Sequence, residues 1–402
     1  MNDSHRVVVV GAGASGMAAA IAASVSGAHV CLLESLPKPG RKIMASGNGR
    51  CNFANADLSP ERYNDPAFVA AAMGDRPLDP IVDFFSKLGL WYTTDDEGRM
   101  YPRSRAAASV LDVLMAALDE YGVELRLNSR VSRVDANGGN RPSWRLQIQD
   151  GQTVDCNSVV WAAGGSSAKV LKESLRVPCT PERPALCPLA LDPKPPKSLD
   201  GVRVSCAVEI WDGRSMVTRQ EGEVLFRPYG ISGIVIFDLS RLAYRGDTLV
   251  LDLLPDISSE ELVAVLQERL GLLGRCVDGP DARLRFLDGA LHPKIARYIM
   301  ERHCGVRGER KIEPSGLAAS LKSWRFKVSG AADESHAQIT QGGLSLECVD
   351  PLTMGLRGHS GLFACGESLD VDGECGGLNL AWAWSSGMIA GVSAARHSGL
   401  TL

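Results

Sequence analysis

No two cysteines in this chain are spaced C-x-x-C, and no histidine cluster of metal-ligand spacing stands near any of the eleven. A metal site is therefore not expected. An odd number of scattered thiols, Cys31, Cys51, Cys156 and Cys179 among them, argues against a disulfide framework. Isolated thiols of this kind are characteristic of buried small hydrophobes in a reducing compartment, and the expected location is cytoplasmic. Net charge is lacking too: 43 Lys and Arg against 47 Asp and Glu leave −4. That balance excludes wholesale binding to nucleic acid or membrane, so any basic patch has to be local. There is no internal repeat, no low-complexity tract and no second G-x-G-x-x-G to mark a dedicated nicotinamide domain. An unbroken signal core is also missing. Val7 to Leu33 contains no Asp, Glu, Lys or Arg, but Gly11, Gly13 and Gly16 interrupt it and Glu34 ends it.

What is present suits a multidomain globular protein. The 402 residues, 45% hydrophobic and 22% charged, exclude disordered and collagenous classes. At about 100–200 residues per domain, two or three units are expected. Val7–Val10 reads as a buried parallel strand, Ala14–Ser26 as a small-residue helix and His29–Leu33 as a second strand, the βαβ opening of a doubly wound α/β fold. A helix is expected over Ser109–Tyr121, and strands at Val123–Leu127, Arg145–Ile148 and Ser158–Ala163. Seven prolines between Pro178 and Pro196 mark a boundary that no helix or central strand tolerates. Strands are then expected at Val202–Ile210, Val224–Phe226, Ile234–Leu239 and Thr248–Leu253. Helices follow at Glu260–Leu270, Ala282–Leu287 and Lys294–His303. A polar, glycine-rich stretch at Ser329–Gln341 forms a second boundary, beyond which lie a strand at Leu362–Cys365 and a helix over Leu378–Ala395.

Gly11-Ala12-Gly13-Ala14-Ser15-Gly16 sits between a strand and a helix, where a dinucleotide motif has to sit. Gly11 permits the tight turn, Gly13 lets the backbone approach a diphosphate, and Gly16 allows helix and strand to pack closely. Glu34 closes the second strand at the spacing of a carboxylate that holds a ribose hydroxyl. Two further features favour FAD over NAD. Arg41, Lys42 and the run Ser46-Gly47-Asn48-Gly49-Arg50-Cys51-Asn52 place cations and glycines next to the diphosphate end of a doubly anionic cofactor. Near the C-terminus, Gly366-Glu367 ends a short strand that can return to the first sheet and set Glu367 on a ribityl hydroxyl. Gly373-Glu374-Cys375-Gly376-Gly377 then opens a helix whose dipole suits an anionic reduced ring. Val131 and Gly164 complete the expected cofactor contacts.

Several blocks resemble a known family, the bacterial BaiN/RdsA-like FAD-dependent oxidoreductases, and the resemblance spans almost the whole chain. It rests on Gly40-Arg41-Lys42, Ser46 through Asn55, Phe226 through Gly233, Ile339 through Leu344, Gly366 through Gly373 and Trp382 through Gly387. It implies a Rossmann-like FAD-binding domain made from both chain ends, 1–187 and 336–402, interrupted by a β-rich insertion at 188–256 and a helical one at 257–335. Activities implied are reduction of carbon–carbon double bonds conjugated to a carbonyl, dihydrouridine formation in ribosomal RNA, and oxidation of small amines by O2. Leu378 and Ala381 depart from the family, whose members often carry an aromatic residue and a Gln there.

For reduction of an enone or uracil-like ring by hydride from flavin N5, the α carbon needs a proton. Cys51, with Arg50 beside it to favour a thiolate, Tyr229 and Asn379 are the candidate catalytic residues, and Asn52 and Asn379 the candidates for the flavin edge. NAD(P)H or a small reductant is the expected electron donor, and the expected substrate is a small molecule. RNA stays open as a partner. Between Arg283 and Lys327 eleven Lys and Arg stand against four Asp and Glu, with Trp324 and Phe326 interleaved as candidate stacking residues. The competing reading of that stretch is a solvated helical face or a subunit interface.

Overall fold

The computed structural model describes residues 6–137, 143–273, 279–333 and 337–399. The chain divides into two units, one from residues 1–183 and 339–402 and the other from 184–338.

The first unit is built on a five-stranded parallel sheet. In spatial order its strands are Leu362–Ala364, Ser158–Trp161, β1 (Arg6–Val10), β2 (His29–Leu33) and Glu124–Arg126. Val7 to Val10 are all buried, with no alternation, as a strand covered on both faces requires. Leu362–Ala364 pairs with Ser158–Trp161 in the register Val159↔Leu362, so a C-terminal segment completes the N-terminal sheet. The helix after β1, α1 (Ala14–Val25), buries Ala18, Ala19, Ala20 and Ala23. Small residues there admit the C-terminal helix Leu378–His397 at backbone distance. A Cβ added to Gly387 would lie 2.4 Å from Ser15 O, and one added to Gly391 would lie 2.2 Å from Ala19 O.

The second unit holds a closed barrel in the strand order Leu189–Asp192, Gly230–Ser232, Met216–Arg227, Arg203–Trp211, Thr248–Asp252 and Trp324–Ala331. Closure leaves no free sheet edge. The helices Ser259–Leu273, Pro280–Leu284, Pro293–Cys304 and Pro314–Lys322 fall between the last two barrel strands in sequence. The barrel and these helices share one apolar core, which includes Phe226, Leu251, Ile299, Leu317 and Trp324.

Three expectations are corrected here. Ile234–Leu239 is not a strand but most of a helix, Ile234–Ser240, that starts after Gly233 at φ +125. Its buried residues Val235, Ile236, Leu239 and Ser240 recur at helical spacing, while Ile234 is exposed. The proline-rich stretch does carry strands: Cys179–Ala185 pairs with Ile339–Leu344, and Leu189–Asp192 enters the barrel. Trp324 and Phe326 do not offer stacking faces; both point into the barrel core, where Trp324 stacks on Phe226 at 5.4 Å. Residues 334–336 of the second boundary lie outside the described residues.

The helix contact at Gly391 gives a direct test. Gly391→Val is expected to lose about 1–3 kcal/mol or more of unfolding stability through overpacking against Ala19. Gly271, in an exposed helical turn where an added Cβ meets nothing within 4 Å, serves as the control. Gly271→Ala should instead gain up to about 1 kcal/mol. Denaturant unfolding followed by circular dichroism reads both, and a Gly391→Val protein that unfolds like the parent contradicts the packing.

Candidate functional site

The site in the first unit begins at the turn after β1. Gly11 sits at φ +103, and an added Cβ there would lie 2.5 Å from Ala162 O; one on Gly16 would lie 1.7 Å from Gly11 O. Close packing therefore requires both glycines. Gly13 is different, because nothing lies within 4 Å of where its Cβ would point. It leaves open space at the start of α1, which has no side-chain cap. The first-turn N–H groups of Ala14, Ser15 and Gly16 together with the helix dipole form an anion-binding terminus.

Glu34, 8% exposed, braces this turn. Its Oε2 accepts from the Ala12 N–H at 2.8 Å, while Oε1 accepts from the Leu36 N–H at 2.8 Å and from Ser35 Oγ at 3.1 Å. Oε2 thus keeps a lone pair for a further donor such as a ribose hydroxyl. The Gly40 N–H donates to Ala12 O at 2.9 Å, which ties the loop after β2 to the same turn and starts the short helix Arg41–Ala45 beside it. Lys42 Nζ donates to Glu367 at 2.7 and 2.5 Å, and the Thr340 N–H donates to Glu367 Oε1 at 2.7 Å. Lys42 and Glu367, expected on separate parts of a cofactor, are therefore paired with each other across most of the sequence. Gly164, at φ +79, donates its N–H to Ser368 Oγ at 3.1 Å. Gly366 packs so tightly on Ser15 that an added Cβ would lie 2.4 Å from Ser15 Oγ. Val131 is buried at the start of the strand Val131–Asn137.

The Ser46–Asn52 loop is unusual in its backbone. Gly47, Asn48, Gly49 and Cys51 all take left-handed conformations, φ +56, +55, +80 and +54. For Asn48 and Cys51 that costs about 1 kcal/mol or more each, which has to be repaid by surrounding contacts. Ser46 Oγ donates to Ile43 O at 2.7 Å. The residues that follow are laced to the C-terminal segment. Trp384 Nε1 donates to Phe53 O at 2.9 Å, Asn55 Nδ2 to Gly376 O at 2.8 Å and Tyr63 OH to Leu378 O at 2.8 Å. The Asp372 N–H donates to Asn64 Oδ1 at 2.9 Å, and Arg62 pairs with Glu374 at 2.9 Å. Sequence reasoning passed over Asn55, Tyr63, Asn64 and Trp384 as site-builders. Their only signal was membership of the blocks that carry the family resemblance, or proximity to one.

One buried acceptor of this loop is left over. Asn52 Oδ1 finds no donor among the described residues. It lies 2.8 Å from where a Cβ on Gly377 would sit, beside the uncapped start of the C-terminal helix. Clear space at Gly13, a spare acceptor at Glu34, an orphaned amide oxygen and a second bare helix start are what a long dinucleotide with a hydrogen-bonding ring needs. The residues fit FAD.

The family model for the HI0933-like protein Rossmann domain matches residues 5–393. The chain belongs to that family. The HI0933-like chain is 32% identical to a 3-dehydro-bile acid delta(4,6)-reductase of Clostridium scindens, over 98% of this chain and 100% of that one. It is 29% identical to a ribosomal RNA dihydrouridine synthase of Escherichia coli, over 94% of this chain and 95% of that one. Among solved structures it resembles a flavocytochrome c3 fumarate reductase in its open conformation, with a TM-score of 0.48 and 17% identity over 98% of this chain and 78% of that one.

Within this HI0933-like site the catalytic candidates fare unevenly. Cys51 is fully buried, and desolvation pushes its thiol up to about 11, opposite to the thiolate expected from Arg50. Asn379 spends its amide on the preceding loop: Oδ1 accepts from the Gly373 N–H at 2.9 Å and Nδ2 donates to Gly373 O at 2.8 Å. It braces that loop rather than presenting a free amide. Tyr229 belongs to the second unit and is half-buried. Much of the basic stretch is engaged internally: Arg297 pairs with Glu301, Arg285 with Asp288, Lys322 with Asp252, and Arg310 donates to Arg302 O. Among the described residues, no group of three or more His, Cys, Asp or Glu is placed to hold a metal ion, and no helix is long and apolar enough to cross a membrane.

The Cys51 finding is testable by alkylation. A thiol near 11 is protonated at about pH 8, and its thiolate fraction lies about a hundred-fold below that of a thiol at its ordinary value. Iodoacetamide at about pH 8 should leave Cys51 unmodified in the native protein and label it after denaturation, read by peptide mass spectrometry. Rapid labelling of native Cys51 would contradict the burial.

Proposed function

We propose that this protein is an FAD-dependent oxidoreductase that reduces a carbon–carbon double bond conjugated to a carbonyl. The observation that carries the reading is the orphaned Asn52 Oδ1 beside Gly377 at the bare start of the C-terminal helix. The double-bond chemistry follows from the full-length likeness to a delta(4,6)-reductase. When bound, FAD supplies the two electrons, as a hydride for the β carbon of the acceptor.

The chain's own groups divide the remaining work. The N–H groups of Ala14, Ser15 and Gly16 hold the diphosphate, and Glu34 holds the ribose through its spare lone pair. Asn52 and the first-turn N–H groups of the C-terminal helix steady the ring edge and favour negative charge there. Gly49, Arg41, Val131 and Gly164 line the path between these ends. The α carbon needs a proton, and Cys51, fully buried, offers no exposed thiol to supply it. NAD(P)H is the proposed reductant. The cytoplasm is the proposed location, in keeping with scattered cysteines that include no C-x-x-C pair.

A second reading keeps the same bond chemistry, since the 5,6 double bond of uracil is itself conjugated to a carbonyl. It is favoured by the full-length likeness to ribosomal RNA dihydrouridine synthases. One experiment separates the readings: reduce the holoprotein anaerobically with NADPH, then offer a steroid enone, uridine-containing RNA, or oxygen with a small amine. Reoxidation by the enone, with an equimolar saturated ketone formed, is expected. Reoxidation by RNA alone, weakening steeply with salt, would shift the assignment to RNA. Peroxide formed at the expense of an amine would overturn both.

A further inference from the structure

The first unit holds a second buried acceptor, on Gln341. Gln341 lies in the strand Ile339–Leu344, between Thr340, whose N–H donates to Glu367, and Gly342, whose N–H donates to Asp370 Oδ1 at 3.2 Å. Its Nε2 donates to Asp372 Oδ2 at 2.9 Å, and its Oε1 is buried with no donor among the described residues. The orientation of the amide is not arbitrary. A carboxylate accepts and does not donate, so Asp372 has to face the NH2 end, and the oxygen is turned the other way. Asp372 is itself immobile: it is 1% exposed, its N–H donates to Asn64 Oδ1, and its carbonyl accepts from the Asn64 N–H at 3.0 Å.

A buried acceptor held in a fixed direction and left without a donor is costly unless a ligand supplies the donor. We propose that Gln341, oriented by Asp372, is a specificity-determining residue whose Oε1 accepts a hydrogen bond from an N–H or O–H group of the molecule bound at this site. This rests on the FAD-dependent reading above. Two sources present such a donor, the imide or ribityl groups of FAD and a polar group on the reducible substrate. The geometry requires the donor and the experiment identifies its owner. An acceptor at this position favours ligands that bring an N–H or O–H and disfavours those that bring only a carbonyl oxygen, because two facing acceptors repel.

The test uses Gln341→Lys, which keeps a donor for Asp372 and removes the acceptor. Three quantities are compared with the parent: the melting temperature of the FAD-free chain, the dissociation constant of FAD by fluorescence, and KM and kcat for the steroid enone at saturating FAD. Removing an unsatisfied acceptor should leave the FAD-free melting temperature unchanged or raised, which a purely structural glutamine would not do. About a ten-fold rise in the FAD dissociation constant assigns the donor to FAD. About a ten-fold rise in KM, with FAD affinity and kcat unchanged, assigns it to the substrate. A lowered FAD-free melting temperature, or parent-like values in both binding measurements, overturns the proposal and leaves the FAD reading standing. A parent protein that binds no FAD removes both.

Discussion

Two helices of the first unit meet backbone to backbone. Gly387 and Gly391 of the C-terminal helix lie against Ser15 O and Ala19 O of α1, at distances where no side chain fits. This contact depends on small residues on both helices, the alanines of α1 and the glycines opposite them. It fixes the last helix relative to the helix that opens the fold. The position of the helix start at Gly377 follows from it, and so does the position of every group on the Gly366–Gly373 segment that leads there.

With the two ends so placed, the site becomes a property of neither alone. Asn52 meets the space at Gly377, Glu367 meets Lys42, and Gly366 meets Ser15. The hydrogen bonds from Trp384, Asn55 and Tyr63 lock the residues that follow the strained Ser46–Asn52 loop to the C-terminal segment. Left-handed Asn48 and Cys51 are tolerable because these contacts over-determine the chain around them. Asn52 Oδ1 and Gln341 Oε1 are then the two buried side-chain acceptors left without a donor among the described residues. A framework of that kind binds by supplying fixed acceptors, with little reorganisation on loading.

Much of this was legible in the amino-acid sequence, and the failures have physical causes. The β1–α1–β2 opening could be read because Val7–Val10, the three glycines and Glu34 each answer to a local rule. The return of Leu362–Ala364 to the first sheet was also inferable, since a short apolar strand ending in Gly-Glu has few other places to go. Ile234–Leu239 was misread because the four apolar residues in a row from Ile234 to Phe237 have no visible period, and only the burial of alternate pairs reveals the helix. Trp324, Phe326 and Cys51 were misjudged for one shared reason: the direction of a side chain, in or out, is set by partners far away in the chain. The lacing residues escaped notice for a similar reason. Asn55 and Tyr63 find their acceptors more than 300 residues later, and no local pattern announces a bond of that span.

The account stands on the claim that both ends of the chain jointly hold one flavin. The visible absorbance spectrum of the protein as purified, with the flavin released and quantified against the chain, tests it most directly. The two bands of oxidised flavin, with one FAD per chain, are the predicted result. A colourless protein that takes up no FAD when it is supplied in excess would contradict it.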